Sequence, residues 1–434
     1  MNDLKYSFRR SNQLLQRAKK VIPLGTQTFS KSYQQFPQDS SPLFLTKGIG
    51  ANVWDVDGNK FIDLVAGLLP IILGYRDKDV DDAIKSQLKN GISFSMATEL
   101  EIELSELLVR LIPSAEMVRF GKNGSDATSA AIRVARAYTG KERIMICGYH
   151  GWHDWYISKT VRNKGVPSFE GKLADRVSFN DIDGIHKLLK KHKDKICALI
   201  MEPANAEEPY SGYFKELHEL LKKNKVLLIF DEIVTGFRFA NGGAQELFEV
   251  NPDLSAFGKA MGNGMPISAL VGKKKYMKEM NEIFYSTTFA GESLSICASI
   301  AVIKKMIKEP VIKNIWAKGK ALNNGILKII KKYDLENVIQ IKGFDPWKLI
   351  VYSDFKNIGK EFIKTFVIKN MLSKGILVNS AHNIMYSLKT SQIKMIISAY
   401  EQTFQKLKDQ LENKSLKKNL KTPPIFPVFS VRNN

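Results

Sequence analysis

A carboxylate and a lysine, 28 positions apart, are the residues of this chain best suited to catalysis. Asp231 follows the apolar run from Val226 to Phe230, and Lys259 lies in the glycine-rich segment from Gly258 to Gly264. A strand would carry the carboxylate to its end, and the glycines would leave room around the amine. The pair suits pyridoxal phosphate (PLP), whose ring nitrogen a carboxylate keeps protonated and whose aldehyde a lysine holds while it moves protons. By itself, Asp231 is equally typical of a helix cap.

A second candidate is the turn from Gly121 to Ala127, which precedes a helix predicted to run to about Tyr138. Backbone N–H groups at a helix N-terminus favour an anion such as phosphate. The segment does not match the Walker pattern, and Gly48-Ile49-Gly50 lacks the third glycine of a dinucleotide fingerprint. The turn therefore indicates an anion site without identifying the anion.

Aromatic residues and histidines follow the predicted strand that ends at Cys147. Tyr149 could stack on a flat cofactor, or it could join Trp152 and Trp155 in a core aromatic cluster. His150 and His153 have a spacing that metal ligands use, but no cysteine or acidic ligand set accompanies them. We therefore expect no metal site.

Composition is that of an ordinary globular chain with two or three structural domains, since 44% of its 434 residues are hydrophobic and 25% are charged. The longest nearly apolar run, Leu64 to Tyr75, is broken by Gly67, Pro70 and Gly74 and is shorter than the roughly 20 residues that span a bilayer. The N-terminus lacks the apolar core of a secretory signal. We expect a cytoplasmic protein without a membrane partner.

The formal net charge of +21 raises nucleic acid as a partner. The lysines are spread through helical segments and the C-terminal tail, however, so we expect no nucleic-acid partner. Cys147, Cys197 and Cys297 are widely separated and lie among apolar or small residues. We interpret them as reduced, buried thiols.

Short apolar runs at 143–147, 198–201 and 226–230 alternate with helical stretches, which predicts an α/β fold with a mostly parallel, buried sheet. Ligands bind such sheets at the carboxyl ends of the strands. Tyr149, Glu202 and Asp231 all fall at these ends. From about residue 310 onward the pattern indicates a smaller α+β region.

Several motifs together resemble the class III, fold-type I PLP aminotransferases: Asp231 to Arg238, Gly242-Gly243-Ala244-Gln245, Pro252-Asp253-Leu254, Gly258-Lys259 and Gly264-Met265-Pro266. The similarity covers about residues 18–404 and is greatest to glutamate-1-semialdehyde aminomutases and to relatives from bacterial surface-polysaccharide clusters. It implies a central sheet with helices on both faces, plus a smaller α+β domain. Residues 1–60 and 309–434 would form the small domain, and residues 61–308 the large PLP-binding domain.

The resemblance also implies a role for each matching residue. The catalytic residues would be Lys259 and Asp231, and the residues that bind the cofactor would be Gly124 and Ser125 at the phosphate, Tyr149 stacked on the ring, Ile233, and Thr288 at the phosphate of the neighbouring subunit. A homodimer with shared active sites follows from the last of these. Glu202 would have a positional or substrate-facing role.

Two positions depart from the family pattern. Lys31 stands where relatives that act on glutamate semialdehyde carry a carboxylate-binding arginine, and Leu68 stands where they carry a tryptophan. Lysine lacks the fork geometry of arginine. We therefore predict an aminotransferase that moves an amino group from a donor such as glutamate to a carbonyl acceptor, with a sugar or small hydroxy-carbonyl of surface polysaccharide synthesis as the acceptor. Glutamate-1-semialdehyde aminomutase is the first alternative, and a non-catalytic PLP-fold regulator is the second.

Overall fold

The structure is a computed structural model that describes residues 6–427. Its strands, in chain order, are β1 (Leu45–Ile49), β2 (Asn52–Asp55), β3 (Lys60–Asp63), β4 (Met117–Gly121), β5 (Arg143–Cys147), β6 (Ala174–Arg176), β7 (Ile196–Met201), β8 (Leu227–Asp231), β9 (Leu254–Phe257), β10 (Ser268–Gly272), β11 (Ile339–Phe344), β12 (Trp347–Tyr352), β13 (Ile376–Leu377) and β14 (Ala381–Asn383).

Its helices, in chain order, are α1 (Arg9–Val21), α2 (Lys78–Leu88), α3 (Glu99–Leu111), α4 (Gly124–Thr139), α5 (Asp154–Ile157), α6 (Ile182–Lys191), α7 (Tyr213–Lys223), α8 (Ala244–Leu247), α9 (Lys274–Met277), α10 (Ser293–Lys308), α11 (Val311–Lys332), α12 (Lys360–Ser373), α13 (Thr390–Glu412) and α14 (Leu416–Leu420). The described residues form two compact units. We call residues 78–312 the central unit, and residues 6–77 with 313–427 the terminal unit. The sequence-based domain limits after residues 60 and 308 stay predictions.

The central unit is built on a seven-stranded sheet in the order β4-β10-β9-β8-β7-β5-β6. The five strands from β9 to β6 are parallel, whereas β10 is antiparallel to both of its neighbours. The predicted fold class is therefore confirmed, with one reversed strand that the apolar pattern did not indicate.

Helices cover both faces of this sheet because successive strand residues point to opposite sides. Ile146, Ile200 and Ile229 pack with the alanines of α4 in one apolar cluster. Met145, Leu199 and Leu228 pack with residues of α6 and α7 in the other. Each fully buried aliphatic side chain of this kind contributes about 1.5–3 kcal/mol relative to an exposed one.

Strand register aligns the carboxyl ends of four neighbouring strands. Cys147 pairs with Met201, Met201 with Phe230, and Asp231 with Ala256. The segments that leave β5, β7, β8 and β9 therefore start side by side at one edge of the sheet. The predicted site residues of these segments meet there.

The terminal unit contains two smaller sheets, in the orders β1-β2-β3-β13 and β11-β12-β14. The predicted hairpin is formed by β2 and β3. Its turn is closed by the Asp55 carboxylate, whose Oδ1 accepts hydrogen bonds from the backbone N–H groups of Asp57 (3.0 Å) and Asn59 (2.8 Å). Within residues 6–427, no helix has both the length and the apolar character needed to cross a membrane.

Candidate active site

The carboxylate of Asp231 lies buried at the end of β8, with 5% of the residue exposed. Its Oδ2 is 2.8 Å from Nδ1 of His150, and its Oδ1 accepts the backbone N–H of Ile233 at 3.1 Å. Leu227, Ile229 and Asp231 are alternate residues of β8, so their side chains point to the same face of the sheet. This is the face that α4 covers. A carboxylate has about four acceptor positions, so these two contacts leave capacity for a further donor.

Lys259 follows β9, directly beside β8 in the sheet, and begins a short 3-10 turn, Lys259–Gly262. Its backbone φ is +40°, a left-handed value that is costly for a residue with a side chain and that concentrates at functional sites. Burial lowers the pKa of Lys259, while the negative charges of Asp231 and Glu202 oppose the shift. A lowered pKa makes the neutral, nucleophilic amine more accessible.

The N-terminus of α4 lies at the same edge of the sheet. The Asp126 carboxylate accepts the backbone N–H groups of Lys122 (2.9 Å) and Asn123 (2.8 Å). The next two amides, of Gly124 and Ser125, begin the helix and have no acceptor within it. Together with the positive end of the helix dipole, they form a setting that suits phosphate.

Ile233 lies between two glycines of this site. A Cβ added to Gly124 would lie 3.2 Å from three side-chain carbons of Ile233, and one added to Gly258 would lie 3.1 Å from its Cδ1. These approaches are tighter than ordinary van der Waals contacts. The glycines therefore let the segment after β8 pack against both the start of α4 and the residue before Lys259.

The turn after β5 is tied to α4. Ser125 Oγ accepts the backbone N–H of Trp152 at 3.3 Å, and Thr128 Oγ1 donates to the carbonyl of His150 at 3.0 Å. Gly151 has a φ of +102°, and a Cβ at this position would overlap Ser125 Oγ. Only glycine fits the turn.

The aromatic residues divide between core and surface. Trp155 is 8% exposed and its Nε1 donates to Ser129 Oγ at 2.8 Å, whereas Trp152 is 68% exposed and Tyr149 is 50% exposed. The interpretation of all three as one core cluster is therefore wrong. Tyr149 keeps an accessible ring at the edge where Asp231 and Lys259 lie, which is what stacking on a flat ligand requires.

Glu202 extends from β7 toward the turn after β5. Its Oε2 accepts the backbone N–H of Tyr149 at 3.0 Å, and a Cβ on Gly148 would overlap its carboxylate. Burial, and secondly the charge of Asp231, raise the pKa of Glu202 to about 7. The Glu202 carboxyl therefore keeps its proton to a higher pH than an exposed glutamate does.

Two further buried charged residues were not singled out from the sequence. Glu232 accepts the backbone N–H groups of Ala244 and Gln245, each at 2.8 Å, and the hydroxyl of Thr235. Burial raises the pKa of Glu232 to about 7 and lowers that of the fully buried Arg238 to about 9. Glu232 thus fastens the loop that follows Asp231, and the charge of Arg238 helps to lower the pKa of Lys259.

The other predicted residues lie on other segments of the chain. Thr288 is exposed in the loop before α10. That helix is capped by Glu292, whose Oε1 is 2.8 Å from Nζ of Lys122 beside the start of α4. Lys31 and Leu68 belong to the terminal unit, where Lys31 is exposed in a short helical turn and Leu68 has a φ of +75°.

The sequence profile of the family described as aminotransferase class-III matches residues 33–409. The chain belongs to the class III aminotransferases.

Individual relatives match most of the chain. A 3-aminobutyryl-CoA aminotransferase of Cloacimonas acidaminovorans is 40% identical over 76% of this chain and 80% of its own length. A glutamate-1-semialdehyde 2,1-aminomutase of Methanococcus maripaludis is 33% identical over 87% and 92%. The structure of the FumI protein of Sphingopyxis sp. MTA144, in its PLP internal aldimine form, superposes with a TM-score of 0.86 at 25% identity, covering 96% of this chain and 99% of that one.

This class III aminotransferase is a PLP-dependent enzyme. Its residues fit the cofactor. Amides at the start of α4 suit the phosphate, the remaining acceptor positions of Asp231 suit a protonated ring nitrogen, and the amine of Lys259 suits the aldehyde.

Proposed function

We propose that this enzyme transfers an amino group from a donor such as glutamate to a carbonyl acceptor, with Lys259 and Asp231 as its catalytic residues. The observation that carries the proposal is the buried pair of Asp231 and His150, 2.8 Å apart, at the end of the strand next to the one that leads to Lys259. Bound PLP supplies an electron-accepting ring that stabilises negative charge at the substrate carbon.

Each residue has a distinct task in this proposal. Asp231 accepts a hydrogen bond from the protonated ring nitrogen, and His150 fixes the orientation of its carboxylate. Ile233 and Tyr149 contact the ring, and the amides of Gly124 and Ser125 donate to the phosphate. Thr288 contributes to the phosphate site of a partner subunit, so the working form is a homodimer.

Lys259 holds the cofactor and then moves protons. Its amine, once free of the cofactor, would take the proton from the substrate carbon that bears nitrogen and deliver it to the former aldehyde carbon of bound PLP, on the other side of that nitrogen. Because burial lowers the pKa of Lys259, the amine exchanges protons more readily near neutral pH than an exposed lysine would.

Borohydride reduction of the holoenzyme tests these assignments, since it fixes PLP permanently to the lysine that holds it. We expect peptide mapping to find the label on Lys259, and Lys259→Ala to lose both the label and activity. Lys273→Ala is the matched control, because Lys273 lies beyond the opposite edge of the sheet and should retain both. A label on any other lysine would overturn the assignment.

For the acceptor, we propose a carbonyl compound that bears hydroxyl or phosphate groups, such as a keto-sugar used in surface polysaccharide synthesis. The support is Lys31, which replaces the arginine expected in relatives that bind the carboxylate of glutamate semialdehyde. An ammonium group can bind a phosphate or hydroxyl without the fork geometry that a carboxylate favours.

Two relatives suggest alternative substrates for this enzyme. The glutamate-1-semialdehyde aminomutases make the intramolecular reaction a second candidate. The 40% identity to a 3-aminobutyryl-CoA aminotransferase favours a 3-oxoacyl thioester as a third. Both candidates keep the proposed roles of Lys259 and Asp231 and differ only in what the site accepts.

Steady-state kinetics separate the three candidates. We expect kcat/KM to be highest for glutamate with keto-sugars or small hydroxy-ketones, and glutamate semialdehyde supplied alone to react poorly, because a missing bidentate charged contact costs about 2–5 kcal/mol. Efficient conversion of the semialdehyde alone would establish the aminomutase, and preferential use of 3-oxobutyryl-CoA would establish the thioester. If no donor supported turnover, the alternative of a non-catalytic PLP-fold regulator would be favoured over an enzyme.

A further inference from the structure

A cavity of the central unit lies at the edge of the sheet opposite the candidate active site. Its volume is ≈ 550 Å³, and it is lined by Leu227 at the start of β8, Asp253 just before β9 and Lys273 just after the reversed strand β10. From Leu227 to Asp231 the strand extends roughly 13 Å. The cavity is therefore separate from the cluster around Asp231 and Lys259.

The walls of this cavity are strongly basic. Its lining contains one carboxylate, Asp253, and five lysines: Lys141, Lys222, Lys225, Lys273 and Lys275. Lys273 pairs with Asp253 at 2.9 Å. The C-termini of α4 and α7 adjoin the cavity and contribute about half a negative charge each. About three positive charges therefore remain without compensation.

Aromatic rings form another part of the lining. Tyr138 and Tyr276 meet edge to face with their centroids 4.6 Å apart, and Nζ of Lys275 lies 4.5 Å from the ring centroid of Tyr276. Tyr138 is 45% exposed. The cavity thus combines cationic groups with a flat, partly accessible apolar surface, two features that bind phosphate groups and an organic ring respectively.

We propose that this lysine-lined cavity binds a small organic polyphosphate, such as a nucleoside diphosphate. A single phosphate ester carries about −1.5 to −2 charges, which leaves part of the excess positive charge unbalanced, whereas a diphosphate matches it more closely. The volume lies within the range of about 300–1,000 Å³ that is typical of small-ligand sites.

Calorimetric titration of the PLP-loaded enzyme with adenosine diphosphate, inorganic pyrophosphate and adenosine tests this proposal. The informative variant is the double substitution Lys222→Glu with Lys275→Glu, whose positions both line the cavity. Its control is Lys223→Glu with Lys274→Glu, at neighbouring exposed lysines outside the lining. Each substitution removes two charge units, so both doubles lower the formal net charge from +21 to +17.

We expect the wild type and the control double to bind the diphosphate saturably, and the cavity double to bind it at least about tenfold more weakly, because two charged contacts are reversed. Added salt should weaken binding in all three proteins. Tyr138→Ala should weaken the binding of adenosine diphosphate, which has an organic ring, but not the binding of pyrophosphate, which has none.

Three results would count against the proposal. Equal losses in the two doubles would mean that the diphosphate senses only the overall positive charge. If adenosine bound as tightly as adenosine diphosphate, the lysines would not contribute to binding. If the wild type showed no saturable binding, the cavity would not be a polyphosphate site. Because the holoenzyme is used and the cavity is remote from Lys259, failure here leaves the aminotransferase proposal unaffected.

Discussion

At the scale of single residues, the candidate site contains two carboxylates, Asp231 and Glu202, that have different hydrogen-bond partners. Asp231 ends β8, and Glu202 directly follows the neighbouring strand β7. The Oδ2 of Asp231 lies 2.8 Å from the His150 ring, whereas the Oε2 of Glu202 accepts the backbone N–H of Tyr149. Burial, and secondly the charge of Asp231, raise the pKa of Glu202 to about 7. A buried carboxyl near a negative charge holds its proton to a higher pH than an exposed one.

We predict that Asp231→Asn keeps PLP bound but slows the half-reaction with the amino donor by at least about a hundredfold, because an amide cannot hold the ring nitrogen protonated. The measurement is single-turnover kinetics with glutamate, together with the cofactor spectrum. Asp253→Asn, at the other end of the sheet, is the control and should retain normal turnover. Near-normal kinetics in Asp231→Asn would contradict the assigned role.

Glu202 should make stability fall as pH rises. Its carboxyl has a pKa of about 7 in the folded chain against an ordinary value of 4.5, so between these values the native state binds more protons than the unfolded state. Stability from this group is therefore fully present below about pH 4.5 and is lost as pH approaches and passes 7. Glu202→Gln removes the titration, so the variant should gain stability relative to the wild type between pH 5 and pH 8.

Chemical denaturation midpoints of the holoenzyme at several pH values measure this difference. Glu219→Gln on the exposed face of α7 is the control, and its midpoints should run parallel to those of the wild type. Parallel curves for Glu202→Gln as well would show that Glu202 does not titrate in this window.

At the scale of elements, the two ends of α4 should have separable functions. Gly124 begins the helix against Ile233. Gly140 caps it with a φ of +66°, and the space that a Cβ would occupy there is open. A methyl group at Gly124 must displace Ile233, which costs about 1–3 kcal/mol. We predict that Gly124→Ala weakens PLP binding by this amount, as measured by cofactor dissociation from the purified enzyme.

Gly140→Ala serves as the counterpart, since a side chain in the left-handed C-cap costs about 1 kcal/mol of stability. It should lower the denaturation midpoint and leave PLP affinity unchanged. If both variants lost the cofactor equally, the N-terminus of α4 would have no special part in holding it.

The central strands could be predicted from the sequence because they are buried on both faces and therefore appear as unbroken apolar runs. Strand β10 has the same composition, and nothing in its residues records that it runs in the opposite direction. The Asp231–His150 contact joins residues 81 positions apart, and Glu232 binds amides 12 and 13 positions away. The first contact depends on the order of the strands in the sheet, and the second on the path of one long loop, and neither is contained in a local sequence pattern.

At the scale of the whole molecule, the sheet separates two kinds of chemistry. The carboxyl edge gathers Asp231, Glu202 and Lys259, and the amino edge adjoins the lysine-lined cavity. Part of the formal charge of +21 is thus concentrated at a defined place and is not only spread over helices. This arrangement would let a polyphosphate bind without competing for the active site.

The proposed homodimer can be tested by complementation between subunits. If Thr288 of one subunit contacts the phosphate in its partner's site, Lys259→Ala and Thr288→Val damage opposite halves of each site. Loss of a hydroxyl bonded to a charged phosphate costs about 1.5–3 kcal/mol, so Thr288→Val should be inactive at low PLP, and Lys259→Ala at any PLP concentration. In a mixed dimer one site keeps both residues, and the other loses both.

We therefore predict that unfolding and refolding an equal mixture of the two variants restores activity at low PLP to about a quarter of the wild-type value, since half of the randomly formed dimers are mixed and each has one intact site. The variants refolded separately and then combined provide the control and should remain nearly inactive. If the co-refolded mixture were no more active than this control, each site would be complete within one chain, and Thr288 would have to act, if at all, on the cofactor of its own subunit.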